Sequence, residues 1–281
     1  MTLSLKTLIT RALSGIVFVV LLIGSLFWNY YSFSIFFFLI AFLGLKEFYN
    51  LADKLNVKTF KLTGYFCGVL TYLAFINLSF FFKINSEYIN KLPLFLLFIP
   101  FLIFVVAIMS KHQNPLESTL YTLMGILYSV LPFALMHELV FDANQLQYNP
   151  NFLLIIILLI WSNDTFAYLG GTFIGKHKMI ERVSPGKTWE GTLFGIVITI
   201  ALCFYFHKNI QATTSLSWIF LSFLIPILAT LGDLVESMIK RIANVKDTGN
   251  IMPGHGGILD RFDSILFVVP FIVIIIKIFV Q

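Results

Sequence analysis

The chain is a succession of apolar stretches, most of them long enough to cross a lipid bilayer and each closed by a short polar or basic cluster. A helix needs about 20 apolar residues to span the hydrocarbon, with a range of about 17–25. Nine stretches are candidates, at roughly 12–28, 31–45, 62–82, 92–109, 119–140, 152–173, 191–206, 216–235 and 262–280. The first two are short and separated only by Asn29 and the adjacent tyrosines. A tight helical hairpin and one re-entrant unit both fit them, so eight spans remains open. Composition agrees: 58% of residues are hydrophobic and 12% charged, against about 25% charged in soluble domains. A soluble fold would lack the polar surface to cover itself. The expected fold is all-α, a polytopic integral membrane protein forming a single membrane domain over 1–281. Within it, 1–150 read as a transmembrane scaffold and 151–281 as a catalytic half.

Orientation follows from the distribution of Lys and Arg. With the N-terminus inside, the same-side segments are the N-terminal tail and the loops near 46–61, 110–118, 174–190 and 236–261. They hold 15 of the 19 basic residues. The opposite side holds 4: Lys83, Lys91, Lys208 and Lys277. The N-terminus is expected to be cytoplasmic. Lys6 and Arg11 precede the first apolar stretch as in a signal peptide, but no A-x-A-like site follows, so an uncleaved first helix is expected. Segment 46–61 mixes apolar and basic residues at helical spacing and is expected as an interfacial helix on anionic lipid. Cys67 and Cys203 each lie in an apolar run and read as buried small hydrophobes, not as a disulfide. The abundant Phe residues are explained by lipid-facing packing.

Ionisable groups at membrane depth are costly and mark candidate sites. Asp164 lies toward the cytoplasmic end of the sixth stretch, in WSNDTFAYLGG. A polar contact between helices would also account for it. Gly170, Gly171 and Gly175 permit close helix packing or close approach of backbone to a ligand. In the next loop, Ser184-Pro185-Gly186-Lys187-Thr188 can form a turn presenting N–H groups, hydroxyls and an ammonium, the combination a phosphate wants. It lacks the G-x-x-x-x-G-K-S/T spacing of a Walker A loop, and positive-inside topology alone would also place lysines there. Asp233, Glu236, Ser237 and Lys240 stand at i, i+3, i+4 and i+7, on one helical face. Two carboxylates a turn apart beside a hydroxyl suit a hard cation with substrate phosphates. Lys240, Arg241 and Lys246 add positive charge. The irregular stretch Gly249–Gly257, with Pro253 and His255, leads to Asp260-Arg261-Phe262-Asp263, where the two acids share a face at a helix start. One Asp there is most often a cap; two are harder to explain so. All these segments lie at one membrane face, so Asp164, Lys187, Asp233 and Asp260 are expected to meet there around a metal-bridged phosphate substrate.

Here a resemblance emerges. The 27 residues from Ser237 to Asp263, SMIKRIANVKDTGNIMPGHGGILDRFD, closely resemble the signature of phosphatidate cytidylyltransferases, the CDP-diacylglycerol synthases. Met252 stands where Leu, Ile or Phe is expected. Asn163-Asp164-Thr165-x-Ala167-Tyr168 and Ser184-Pro185-Gly186-Lys187-Thr188-x-Glu190-Gly191 also resemble motifs of that family. Recognisable motifs cover about 160–265 of the sequence; the first 150 residues match in hydrophobicity and span count alone.

The resemblance implies a reaction in which CTP and phosphatidate give CDP-diacylglycerol and pyrophosphate. It implies Mg2+, with room for a second cation, held by Asp233 and Asp260 with Asp263 or Glu236 nearby. Lys187, Lys240, Arg241, Lys246 and Arg261 would neutralise the leaving group or the lipid phosphate. Asp164, Ser184, Thr188, Glu190, Ser237, Asp247 and His255 would contact substrate, although His255 equally reads as a turn histidine bonding local backbone. The partners implied are CTP, phosphatidate and the membrane lipid, a second copy in a homodimer, and no nucleic acid. Apart from the resemblance, the short N-terminus suggests a bacterial plasma (inner) membrane over a eukaryotic organelle, and the distribution of basic residues puts the active site at the cytoplasmic face. A CTP-dependent polyprenol kinase is opposed by the full signature. A CDP-alcohol phosphotransferase would need D-x-x-D-G-x-x-A-R, which is absent. An ion-coupled transporter would place paired charges near the midplane and show inverted repeats.

Overall fold

A single extended residue, Asn29, separates α1 (Leu5–Trp28) from α2 (Tyr30–Lys54) in the computed structural model, which describes residues 5–77, 92–141, 147–207 and 215–279. Asn29 caps α2 reciprocally: its side chain accepts from Ser32 N at 2.8 Å, and its own N–H donates to Ser32 Oγ at 3.2 Å. The chain continues through α3 (Lys61–Phe75), a 3-10 turn (Leu92–Phe98) running into α4 (Ile99–Met109), and α5 (Pro115–Gly125). A π turn (Ile126–Val130) joins α5 to α6 (Leu131–Leu135). Pro132 lacks an N–H and crowds the preceding turn, and the wider π turn accommodates it. Then follow α7 (Asn151–Ile174), a hairpin of β1 (Lys178–Ile180) and β2 (Ser184–Thr188), α8 (Trp189–His207), α9 (Ser215–Ile242) and α10 (Leu259–Phe279).

The chain is an all-helical, multi-pass membrane protein. Among the described residues, seven helical segments are long and apolar enough to cross a membrane: Ile9–Trp28, Tyr30–Lys54, Leu92–Met109, Pro115–Leu139, Asn151–Ile174, Trp189–Phe206 and Trp218–Ile242. The other two of the nine expected stretches fall on α3, described as helix to Phe75, and on α10, whose first turns carry Asp260, Arg261 and Asp263. Residues 78–82 of the third stretch, and Lys83, Lys91 and Lys208, lie outside the described residues.

The chain divides into two compact units, Met1–His137 with Ile242–Arg261, and Glu138–Arg241 with Phe262–Gln281. The core of the first is aromatic. Tyr30, Phe33, Phe37, Tyr72 and Phe133 are buried, and the buried His137 ring meets Tyr30, Phe33 and Tyr72 edge-on. Tyr30 Oη lies 2.8 Å from His137 Nδ1, so the ring enters the core with a polar partner. The Phe content is therefore divided: Phe27, Phe66 and Phe101 face outward, while Phe33, Phe37 and Phe133 build the core.

Segment 46–61 is not an interfacial helix. Its first nine residues finish α2, with Glu47 buried, and residues 55–60 are non-helical. The apolar–basic alternation hid an inward-facing acid.

In the second unit α7 and α8 pack at backbone contact. A Cβ on Gly191 would lie 2.6 Å from both Ala167 O and Gly171 N, and one on Gly195 would lie 2.7 Å from Asn163 O. Gly170 serves helix packing, since a Cβ there would lie 2.8 Å from Phe194 Cβ of α8, whereas Gly171 also lines a cavity of this unit. Ser184–Thr188 is not a turn but strand β2, paired with β1 at Lys178↔Thr188 and Ile180↔Ser184. The reversal falls at Glu181–Val183, one step earlier than the Pro-Gly pair suggests. Cys67 and Cys203 are both buried and free.

Candidate active site

In the second unit, α9 turns Asp233, Glu236 and Ser237 to one side, and Gly232 lets α10 approach. A Cβ on Gly232 would lie 2.7 Å from Asp263 O and 2.8 Å from Phe267 Cβ. Carboxylate oxygens of Asp233, Glu236 and Asp263 consequently all lie within 4.8 Å of one another. Lys187 Nζ from β2 reaches Asp233 Oδ2 at 2.6 Å, and Lys240 pairs with the buried Glu236 one turn away. Ser237 Oγ donates to Asp233 Oδ1 at 3.2 Å, and Asp263 Oδ1 accepts from Ser264 N at 2.7 Å.

Beside this cluster opens a cavity of about 340 Å³ whose lining includes Asp164, Ser184, Lys187, Thr188 and Asp233. Three sequence motifs, from α7, β2 and α9, thus converge on one cavity. Glu190 is not among its lining residues. Its carboxylate accepts from Lys176 N at 3.0 Å and His177 N at 3.1 Å and meets His177 Nδ1 at 2.5 Å, closing the start of the hairpin. Arg241 Nε donates to Val183 O at 3.3 Å at the hairpin reversal.

In the first unit, residues 243–258 form the glycine-rich loop. His255 N donates to Met252 O at 2.9 Å across a turn with Pro253 and Gly254 at its centre, and Gly254 has φ +78°. A type II turn requires a positive φ at its third position and commonly has proline at its second. The loop is tied down by two acids. Asp260 Oδ2 accepts from Thr248 N and Gly257 N, each at 2.8 Å, and lies 2.8 Å from Thr248 Oγ1. Glu47, buried in α2, accepts from Ile258 N at 2.9 Å, Leu259 N at 3.0 Å and Thr248 Oγ1 at 3.0 Å. Glu47 therefore satisfies orphan N–H groups at the start of α10 and places a negative charge at that helix terminus.

Ser14 of α1 also holds the loop, with Oγ 2.8 Å from His255 Nδ1 and 3.0 Å from Pro253 O. Burial and, less strongly, the Arg261 and Arg11 charges hold the His255 pKa below its ordinary value. A cavity of about 450 Å³ in this unit is lined by Arg11, Lys246, Asp247, His255 and Arg261, among others.

The structure thus sorts the sequence candidates into two groups. Asp164, Ser184, Lys187, Thr188, Asp233, Glu236, Ser237, Lys240 and Asp263 gather in the second unit; Lys246, Asp247, His255, Asp260 and Arg261 gather in the first. Of the acids expected around a cation, Asp233, Glu236 and Asp263 come together in the second unit, and Asp260, in the first, orders the loop. Glu47, Arg11 and Ser14 escaped the sequence reading, which took 1–150 as scaffold. One signal was available for Glu47: it is an ionisable residue following a long apolar run, the same criterion that singled out Asp164.

The sequence profile of the Cytidylyltransferase family matches residues 9–279. The chain is 33% identical over 276 residues to the phosphatidate cytidylyltransferase of Bacillus subtilis (strain 168), covering 98% of each chain. It is 32% identical over 272 residues to that of Staphylococcus saprophyticus (95% of this chain, 97% of the relative). With the phosphatidate cytidylyltransferase of Staphylococcus haemolyticus (strain JCSC1435) it shares 29% identity over 273 residues (95% and 98%). With a match that runs from α1 to the end of α10, the chain belongs to the cytidylyltransferase family of enzymes.

Proposed function

We propose that the enzyme joins CTP and phosphatidate to give CDP-diacylglycerol and pyrophosphate, at the cytoplasmic face of a bacterial plasma membrane. The observation that carries this reading is the cluster of Asp233, Glu236 and Asp263 with Lys187, set beside a cavity that the three motifs share. The names of the bacterial relatives support the substrates, and the basic asymmetry of the loops supports the membrane face. By family resemblance the enzyme is a homodimer, which light scattering of the detergent-purified protein would test.

The donor set fits Mg2+. All its ligand atoms are carboxylate oxygens, as a hard cation prefers. Three carboxylates face two lysine partners, so an ionised cluster carries an excess negative charge that a cation would offset. Asp233, Glu236 and Asp263 would hold the ion, and when bound it would stabilise the charge of the triphosphate and of the departing pyrophosphate.

The protein's own part is positioning and charge. A phosphate monoester has a second pKa near 6, so the nucleophile is ionised at neutral pH and needs no strong base. Its oxygen attacks the α-phosphorus of CTP in line. The new P–O bond forms as the bond to the β-phosphate bridging oxygen breaks, and pyrophosphate leaves. Lys187 neutralises phosphate charge at the cavity. Ser184 and Thr188 on β2 supply hydroxyls, and Ser237 orients Asp233 by its hydrogen bond.

The test is transfer of label from radiolabelled CTP into the organic phase, with purified protein, phosphatidate and Mg2+. Wild type should transfer label only with the metal, and Asp233→Asn and Asp263→Asn should lose about 100-fold or more. Asp260→Asn should lower the rate while leaving half-saturating Mg2+ unchanged, because Asp260 orders the loop. If folded wild type transfers no label to phosphatidate, the reading fails.

A further inference from the structure

We infer that the first-unit cavity and an apolar groove beside it bind the phospholipid substrate, phosphate monoester in the cavity and acyl chain along α1. The inference rests on the reading above and assigns cationic residues that sequence left undivided between nucleotide and lipid.

Four observations carry it. The cavity presents Arg11, Lys246 and Arg261 against one acid, Asp247. Such a surplus suits a phosphate monoester, which carries about −1.5 to −2 charges at neutral pH, and basic pockets among membrane helices bind lipid head groups. Arg261 Nε is buried with no hydrogen-bond partner among the described residues, a donor that an anion would satisfy. Next to the cavity runs an open groove of about 570 Å³ lined by Ala12, Gly15, Ile16, Val19 and Val20. These stand at i, i+3, i+4, i+7 and i+8, a single face of α1, and Ile16 and Val20 are about 60% and 62% exposed. Finally, Arg11 and His255 line both spaces, so one ligand can occupy both. A nucleotide has nothing to lay along an apolar helix face; a glycerolipid with an anionic head does.

The site has a built geometry. Arg11 packs on the type II turn, since a Cβ on Gly254 would lie 2.7 Å from Arg11 Cγ. Ser14, on the same helix, fixes His255 through Nδ1. Gly15 leaves the groove floor open: a Cβ there would meet His255 Cε1 at 3.5 Å, ordinary contact, so a larger side chain fits the backbone and fills the groove.

The experiment follows a fluorescent phosphatidate by anisotropy in detergent with full-length protein and no CTP. Binding should be displaced by unlabelled dioctanoyl phosphatidate, and not by CTP, inorganic phosphate or dioctanoyl phosphatidylcholine at equal concentration. Arg11→Gln should weaken binding about tenfold, one charge-assisted contact, and Arg11→Lys should recover part of it. In the transfer assay Arg11→Gln should raise the KM for phosphatidate about tenfold and leave the KM for CTP unchanged. Gly15→Leu should weaken dioleoyl phosphatidate more than the dihexanoyl form. Size-exclusion profiles matching wild type show that the variants fold.

Displacement by CTP, or a rise in the KM for CTP alone, would give the cavity to the nucleotide and overturn the inference. Inorganic phosphate competing as well as lipid would overturn the groove. Unchanged lipid binding in both folded variants would overturn the whole. Lipid binding that depends on Arg11 in an enzyme transferring no cytidylyl group would sink the proposed reaction and leave the lipid site standing.

Discussion

Thr248 and Glu47 are 201 residues apart in the chain, yet the Thr248 hydroxyl donates to Glu47 Oε2 at 3.0 Å. The same hydroxyl lies 2.8 Å from Asp260 Oδ2, between two carboxylates. An acid on the second helix thereby holds the loop that carries the family signature and the first N–H groups of α10.

Glu47→Gln keeps the shape and removes the charge, and it turns an amide donor toward backbone donors. We expect a loss of about 1–3 kcal/mol of stability, read as a lower unfolding temperature in detergent, together with reduced turnover. Thr248→Ala combined with Glu47→Gln should cost less than the two single losses added, because the residues share a bond. Additive losses would show that the contact is not energetically coupled.

Lys187→Met removes the ammonium 2.6 Å from Asp233. Turnover of CTP should fall about 100-fold. Half-saturating Mg2+ should not rise, because the carboxylates it leaves behind are more negative, not less. A higher Mg2+ requirement would instead mean that Lys187 orders the acids.

His255 gives a pH dependence of stability. Its folded pKa lies below the ordinary value, first through burial and then through Arg261 and Arg11. The charged form is therefore disfavoured in the folded state. The stability it contributes is fully present above about pH 6.5, the unfolded value, and is lost as pH falls through the lower folded value. The wild-type unfolding temperature should drop more between pH 8 and pH 5 than that of His255→Gln. Equal slopes would exclude the residue as a source.

Gly191→Ala sets a methyl against Ala167 O and Gly171 N, both backbone and both 2.6 Å away. Neither can rotate aside, so α7 and α8 must separate, and we expect a cost of about 1–3 kcal/mol. Gly186→Ala meets nothing within 4 Å and should unfold with wild type. If the two variants are equally stable, the helices are not held at backbone contact.

The spans were legible because hydrophobic length is a local property. Among the described residues, seven of the nine expected stretches reappear as long apolar helices, with ends shifted by up to nine residues. The i, i+3 spacing also predicted that Asp233 and Glu236 share a face, since helical geometry fixes that within one turn. The Ser184–Thr188 segment was misread as a turn, because a Pro-Gly pair signals reversal while the pairing that overrides it depends on Lys178–Ile180.

What the sequence alone determined is therefore periodic or contiguous: membrane-crossing helices, buried cysteines, and the signature from Ser237 to Asp263. What only the tertiary structure decided is long-range. Gly232 admits Asp263 to the acid cluster, Arg11 of α1 joins Arg261 in one cavity, and Glu47 closes on a loop more than 200 residues downstream. Each depends on which helices become neighbours. An apolar run specifies that a helix must leave water, and says nothing of which partner will satisfy the few charges it carries with it.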